Sequence, residues 1–140
     1  MVVVVVLHLL RTFFTGAYKY PREATWITGV LLLVLVLGLG FTGYLLPWNQ
    51  KAYWATQVGT SIAEQAPVVG PAIATLLRGG DELGPQTLTR FYALHVLLLP
   101  AALVALIVMH LFMVVRQGIS APPDRADSAE IADPATARPR

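Results

Sequence analysis

The stretch that decides the fold is VLLLVLVLGL (Val30–Leu39), a run of ten residues without a charged or hydrogen-bonding side chain. The apolar segment around it extends from Ala24 to about Leu46. Crossing the hydrocarbon of a bilayer takes about 20 residues of α-helix, so this segment is long enough. A second sufficient segment runs from about Leu88 to Val115. The run Val2–Gly16 offers only about 15 residues, so it resembles the second half of a spanning helix.

Composition supports a membrane protein. Of the 140 residues, 56% are hydrophobic and 13% are charged. Soluble domains carry about 25% charged residues. The absence of cysteine excludes disulfides, thiolate metal sites and thioether-linked haem on this chain. Basic residues lie near the ends of apolar runs, which indicates membrane topology and not nucleic-acid binding. The N-terminal valine run lacks a basic region before it and a cleavage site after it, so a signal peptide is rejected.

The predicted organisation is an all-α transmembrane bundle with three crossings. The loop at 15–23 carries Lys19 and Arg22 and is assigned to the cytoplasm by the positive-inside rule, together with the C-terminal tail. The long loop then lies outside, with short helices expected at Ala52–Gln65 and Val68–Arg78. We expect a membrane domain at 1–120 with helices at about 2–16, 24–46 and 88–117, an outer loop at 47–87, and a disordered cytoplasmic tail at 121–140.

All three histidines of the chain, His8, His95 and His110, lie inside apolar segments. An ionisable side chain at membrane depth is a functional-site hypothesis by default, although a single one is as often a structural histidine bonded to nearby backbone. His8 and His110 each lie about two helical turns before a cytoplasmic segment, a match in depth that two axial ligands of one haem require. The spacing from His95 to His110 corresponds to about 22 Å along a helix axis and about 60° around it.

That spacing would hold two haems stacked across the membrane. Two imidazoles fill both axial positions of an iron, which favours electron transfer over oxygen activation. A zinc site stays open as an alternative but would need three or four ligands at one depth. Gly29 and Gly43, near opposite membrane faces on the second helix, would let a flat macrocycle approach the backbone, although helix-on-helix packing explains such glycines equally well.

Three stretches resemble cytochrome b. They are HLLRTFFTGAYKYPREATW (His8–Trp26), FTGYLLPWNQ (Phe41–Gln50) and TLTRFYALH (Thr87–His95). The resemblance covers roughly positions 4 to 120. The spacing between His95 and His110 and the ending RQGIS (Arg116–Ser120) are similar to the split cytochrome b6 branch, since the mitochondrial-type branch has one residue fewer between these histidines.

The resemblance implies a four-helix haem-binding bundle whose first helix and half of the second are absent here. We therefore expect a truncated gene product, a misassigned start or a fragment. It implies that His8 and His110 ligate one haem b on the cytoplasmic side and that His95 ligates a second haem b on the outer side. The second ligand of the outer haem would lie seven positions before Met1, so this chain completes one bis-histidine site. Arg11 is similar to the family arginine that pairs with a haem propionate.

The function implied by the resemblance is that of a haem-carrying subunit of a quinol:cytochrome c or quinol:plastocyanin oxidoreductase. It would move electrons between quinol and quinone sites without stand-alone catalysis. The implied partners are a Rieske iron–sulfur protein, a cytochrome c-type subunit and a separate subunit with the rest of cytochrome b, in a dimeric complex of the bacterial inner membrane. Two alternatives stay open: a haem-free remnant or assembly partner, and a dihaem membrane anchor of another respiratory enzyme.

Overall fold

The computed structural model describes residues 1–120, and all regular secondary structure in that range is helical. The predicted all-α fold is therefore confirmed, whereas the predicted tail at 121–140 lies outside the described residues. The elements in chain order are α1 (Val2–Phe14), α2 (Glu23–Leu45), α3 (Gln50–Glu64), α4 (Gly70–Arg78), α5 (Pro85–Ala93), a π-helical turn (Leu94–Leu98) and α6 (Leu99–Gln117).

Two helical stretches of residues 1–120 are long and apolar enough to cross a membrane. They are α2, with a mean hydropathy of 2.3, and the continuous helix Pro85–Gln117, with a mean hydropathy of 2.6. Only 11% of the most apolar part of α2 is buried, and none of that of the second stretch. The core helix of a soluble protein would be mostly buried, so these apolar surfaces require lipid or other protein chains around them. The helix α1 is apolar but shorter.

The helix boundaries follow local signals. The helix α1 ends at Phe14, and Gly16 follows with a φ of 64°. Glycine adopts this left-handed region without strain. Glu23 opens α2, where its negative charge favours the helix N-terminus. The third long helix begins at Pro85, earlier than the expected start at 88. A proline in the first turn lacks only an N–H that would have no partner there, so it suits this position.

The chain divides into two compact units. Among the described residues, the first unit contains Met1–Val34 and residues 105–120, and the second unit contains Leu35–Val104. An aromatic cluster marks the first unit, where the ring of Tyr18 stacks on Phe13 at 5.7 Å and lies 5.4 Å from that of Trp26. These contacts join the end of α1, the following loop and the start of α2.

The second unit has a small apolar core and a buried polar cluster. The core contains Leu45, Ala52 and Phe91, so it connects the end of α2 with α3 and α5. The polar cluster is centred on Arg78 at the end of α4, whose guanidinium pairs with the Glu64 carboxylate at 2.9 Å. The same side chain donates to the hydroxyl groups of Thr60 and Ser61 on α3, at 3.0 and 3.2 Å. This network fixes α4 against α3 by directional contacts.

Candidate functional site

His110 is held against α2 by a hydrogen bond in the first unit. Its Nδ1 lies 3.0 Å from Oγ1 of Thr28, a side chain that is buried. The next residue along α2 is Gly29, where a Cβ atom would lie 3.4 Å from Cε1 of the imidazole. The hydrogen bond occupies Nδ1, so Nε2 is the nitrogen through which His110 can bind a metal.

His8 and His110 line one cleft of about 150 Å³, although they come from two different helices, α1 and α6. The lining of the cleft also includes Gly29, Arg11 and Arg22. His8 and Arg11 are exposed, so the cleft is open on the side of α1. Two imidazoles and two permanent positive charges beside one cleft suit an iron porphyrin with ionised carboxylate groups.

The end of α6 and the residues after it are bonded to the loop and helix that line this cleft. Arg22 donates from Nε to the carbonyl oxygen of Gly118 at 3.1 Å. Thr25 donates from Oγ1 to Oε1 of Gln117 at 2.5 Å. These two hydrogen bonds hold the segment from Gly118 to Ser120 beside the cleft that it lines.

His95 has a corresponding environment in the second unit. Its Nδ1 lies 3.2 Å from Oγ1 of Thr42, which is buried on α2. The following residue is Gly43, where a Cβ atom would lie 2.6 Å from Cε1 of the imidazole. Real Cβ atoms do not approach other atoms so closely, so the imidazole needs glycine at this position. His95 is the sole histidine of the sequence between Leu35 and Val104.

The helical geometry around His95 is irregular. His95 lies in the π-helical turn Leu94–Leu98, whose i→i+5 hydrogen bonds each span one residue more than those of an α-helix. The offset of about 60° between His95 and His110 assumed a regular α-helix over the whole interval. That assumption was wrong, because the π turn changes the rotation per residue at the first of the two histidines. Single π turns are frequent at functional sites.

The structure thus brings four of the predicted residues together in one cleft, namely His8, Arg11, Gly29 and His110, and places His95 against Gly43. Sequence reasoning missed Thr28, Thr42 and Arg22. The sequence does contain a pattern that points to the two threonines, because a Thr-Gly pair occurs twice on α2, at positions 28–29 and 42–43. Among residues 1–120 no three His, Cys, Asp or Glu side chains converge, so this part of the chain has no ligand set for zinc.

Comparison with known proteins identifies the family. The family model described as cytochrome b (N-terminal)/b6/petB matches residues 1–138. The menaquinol:cytochrome c reductase cytochrome b subunit of Geobacillus thermodenitrificans is 58% identical over 123 residues, 87% of this chain and 55% of that protein. Cytochrome b6 of Gracilaria tenuistipitata var. liui is 50% identical over 122 residues, 87% of this chain and 57% of that protein.

A solved structure agrees with these relatives. A chain of a hyperthermophilic respiratory Complex III matches with a TM-score of 0.77 and 35% identity, over 88% of this chain and 33% of that one. The chain spans about half the length of the curated relatives it matches. The resemblance that the sequence stretches carry is confirmed, because the family model covers nearly the whole chain. The chain belongs to the cytochrome b N-terminal/b6 family of haem-binding membrane proteins.

Proposed function

We propose that this chain is the haem-carrying part of a quinol:cytochrome c oxidoreductase and moves electrons across the membrane between quinol and quinone sites. The observation that carries the proposal is the cleft that His8 of α1 and His110 of α6 both line. The relatives from Geobacillus thermodenitrificans and Bacillus subtilis, both named for menaquinol and cytochrome c, favour these two molecules as donor and acceptor. Plastocyanin, which the resemblance to cytochrome b implies as well, stays the alternative acceptor.

The residues of the cleft fit haem b. His8 and His110 would hold the group through their imidazoles, and Gly29 would leave space beside the His110 ring. Arg11 and Arg22 would supply positive charge for its carboxylate groups. Bound there, haem b would supply a one-electron redox couple. These side chains would therefore hold and orient the group and balance its negative charge.

We assign a second haem b to His95. Its imidazole is fixed between Thr42 and Gly43 in the same manner as that of His110. His95 would hold this group together with a histidine that is not among the three of this sequence. A second haem b would give the chain a second one-electron redox couple.

The exposed apolar surfaces and the relatives support the proposal that the chain works with partner subunits. The apolar parts of α2 and Pro85–Gln117 are almost unburied, so lipid and further helices cover them in the functional assembly. We propose that these helices belong to a separate subunit with the rest of cytochrome b, alongside a Rieske iron–sulfur protein and a cytochrome c-type subunit. The assembly is a dimeric complex of the bacterial inner membrane.

Haem content tests the proposal directly. Purified from membranes with its complex, the protein is expected to show a low-spin b-type band in reduced-minus-oxidised spectra and no thioether-bound haem. His110→Ala is expected to lose the haem of the first unit and still insert, because insertion depends on summed apolar length. Leu111→Ala is the matched control, since it is exposed next to His110 and does not line the cleft. A wild-type protein without haem would favour the alternative that the chain is a haem-free remnant or assembly partner. Unchanged haem content in His110→Ala would refute the assignment of His110 as a haem ligand.

A further inference from the structure

The hydroxyl groups of Thr28 and Thr42 make the same pair of contacts. The Oγ1 of Thr28 lies 2.9 Å from the carbonyl oxygen of Thr25 and 3.0 Å from Nδ1 of His110. The Oγ1 of Thr42 lies 2.8 Å from the carbonyl oxygen of Gly38 and 3.2 Å from Nδ1 of His95. Both threonines are buried, at 6% and 5% exposure, so water does not compete for these contacts.

Counting protons assigns the direction of each hydrogen bond. A hydroxyl group has one hydrogen, and a backbone carbonyl can only accept. Each threonine therefore gives its hydrogen to a carbonyl one turn earlier on α2 and presents a lone pair to the imidazole. The imidazole must then donate from Nδ1–H. A neutral imidazole with its hydrogen on Nδ1 has its lone pair on Nε2.

We propose that Thr28 and Thr42 are positioning residues that fix His110 and His95 in the Nδ1–H tautomer and so hold Nε2 ready for haem iron. This inference rests on the haem-binding function proposed above. Metal-binding histidines usually donate the hydrogen of their second nitrogen to an acceptor, which orients the ring and makes it a stronger donor to the metal. Here the acceptor is a threonine hydroxyl that is polarised by a helix carbonyl.

The side chain of threonine suits this role. Branching at Cβ restricts χ1, and the bond to the preceding turn fixes the hydroxyl further. The position before each glycine also matters, because Gly29 and Gly43 leave room for the imidazole beside the hydroxyl. A competing explanation is that each threonine merely satisfies its own hydroxyl on the preceding turn, with the imidazole as a bystander. Valine would then be a neutral replacement.

The tautomer can be measured without haem. The full chain, labelled with ¹⁵N-histidine and placed in lipid bilayers, is expected to show the Nδ1–H tautomer for two of its three imidazoles. Thr28→Val should convert one of these signals to a tautomer mixture, Thr42→Val the other, and the serine variants should restore both. Thr15→Val is the control, because its hydroxyl bonds only the carbonyl of Arg11. Nε2–H imidazoles in the wild type, or signals unaffected by valine, would overturn the inference.

Redox titration of the haem-loaded complex gives a second readout. Loss of the Nδ1–H···Oγ1 bond makes the imidazole a weaker donor and disfavours ferric iron. Thr28→Val or Thr28→Ala should therefore raise the midpoint potential of one haem and shift its EPR g values, with Thr28→Ser close to wild type. Unchanged potentials and g values in a haem-loaded variant would refute the role of the threonines. A wild type without haem would instead refute the proposed function, and the ¹⁵N spectra would still decide the tautomer.

Discussion

The imidazole of His95 lies so close to Gly43 that a Cβ atom on that glycine would stand 2.6 Å from Cε1. The corresponding distance between Gly29 and His110 is 3.4 Å, the limit of ordinary van der Waals contact. Gly29 and Gly43 both follow a threonine on α2, but Gly29 leaves room for a Cβ atom and Gly43 does not. The tighter contact involves the histidine in the π turn, where the helix is locally wider than an α-helix.

Gly43→Ala is expected to displace the His95 imidazole and to abolish haem binding there, whereas Gly29→Ala is expected to retain haem. Alanine favours a helix over glycine by about 1 kcal/mol, so a loss of haem in Gly43→Ala would not reflect a weakened α2. Pyridine haemochrome stoichiometry and difference spectra of the two purified variants check the prediction. Equal haem loss in both variants, or none in either, would contradict the distances.

Arg78 is expected to control the stability of α3 and α4. Its side chain is 7% exposed and bonds Thr60, Ser61 and Glu64. Arg78→Ala therefore removes the charge-assisted hydrogen bonds to Thr60 and Ser61, each worth about 1.5–3 kcal/mol. The Glu64 side chain is 46% exposed. Glu64→Gln should therefore cost only about 0–1 kcal/mol, as for other solvent-exposed ion pairs. Hydrogen exchange of the α3 and α4 amides measures the loss of stability in both variants.

In that experiment, Arg78→Ala should lose protection across α3 and α4, and Glu64→Gln should change it little. Arg78→Lys should fall between them, because a lysine ammonium cannot match the fork of donors that guanidinium presents. Equal protection in wild type and Arg78→Ala would show that apolar packing alone holds the two helices together.

Arg22 is expected to keep the segment after α6 closed over the His8–His110 cleft. Its Nε donates to the Gly118 carbonyl, a charge-assisted bond. Because the bond is exposed to water, it is worth about 0.5–1.5 kcal/mol, so its loss should increase opening by roughly two- to tenfold. The chain has no cysteine, which makes Ser120→Cys a single labelling site in the cleft lining. Maleimide should label that cysteine faster when Arg22→Ala is added.

Lys19→Ala in the same Ser120→Cys background is the control for that measurement. It removes a positive charge from the same loop and is not part of the cleft lining. Labelling that accelerates equally with Lys19→Ala would indicate a general effect of loop charge. Labelling that is unchanged by Arg22→Ala would show that the bond to Gly118 does not hold the segment.

Several features were readable from the sequence because they depend on local composition and spacing. The run Val30–Leu39 predicts a membrane helix without reference to any other segment, and α2 contains it. The placement of His8 and His110 at matching depth followed from counting residues to the helix ends, and the two side chains line one cleft. The start of the third helix was missed because the proline signal at Pro85 precedes the apolar run.

What the sequence by itself determined was the helical membrane fold and the family, since hydropathy, residue spacing and motif identity are properties of the linear chain. Only the tertiary structure decided which nitrogen of His110 faces Thr28, how closely His95 approaches Gly43, and that Arg22 reaches Gly118. The last of these contacts joins residues 96 positions apart. The geometry of all three depends on side-chain packing between helices to within tenths of an ångström, and no count of residues along one helix contains that distance.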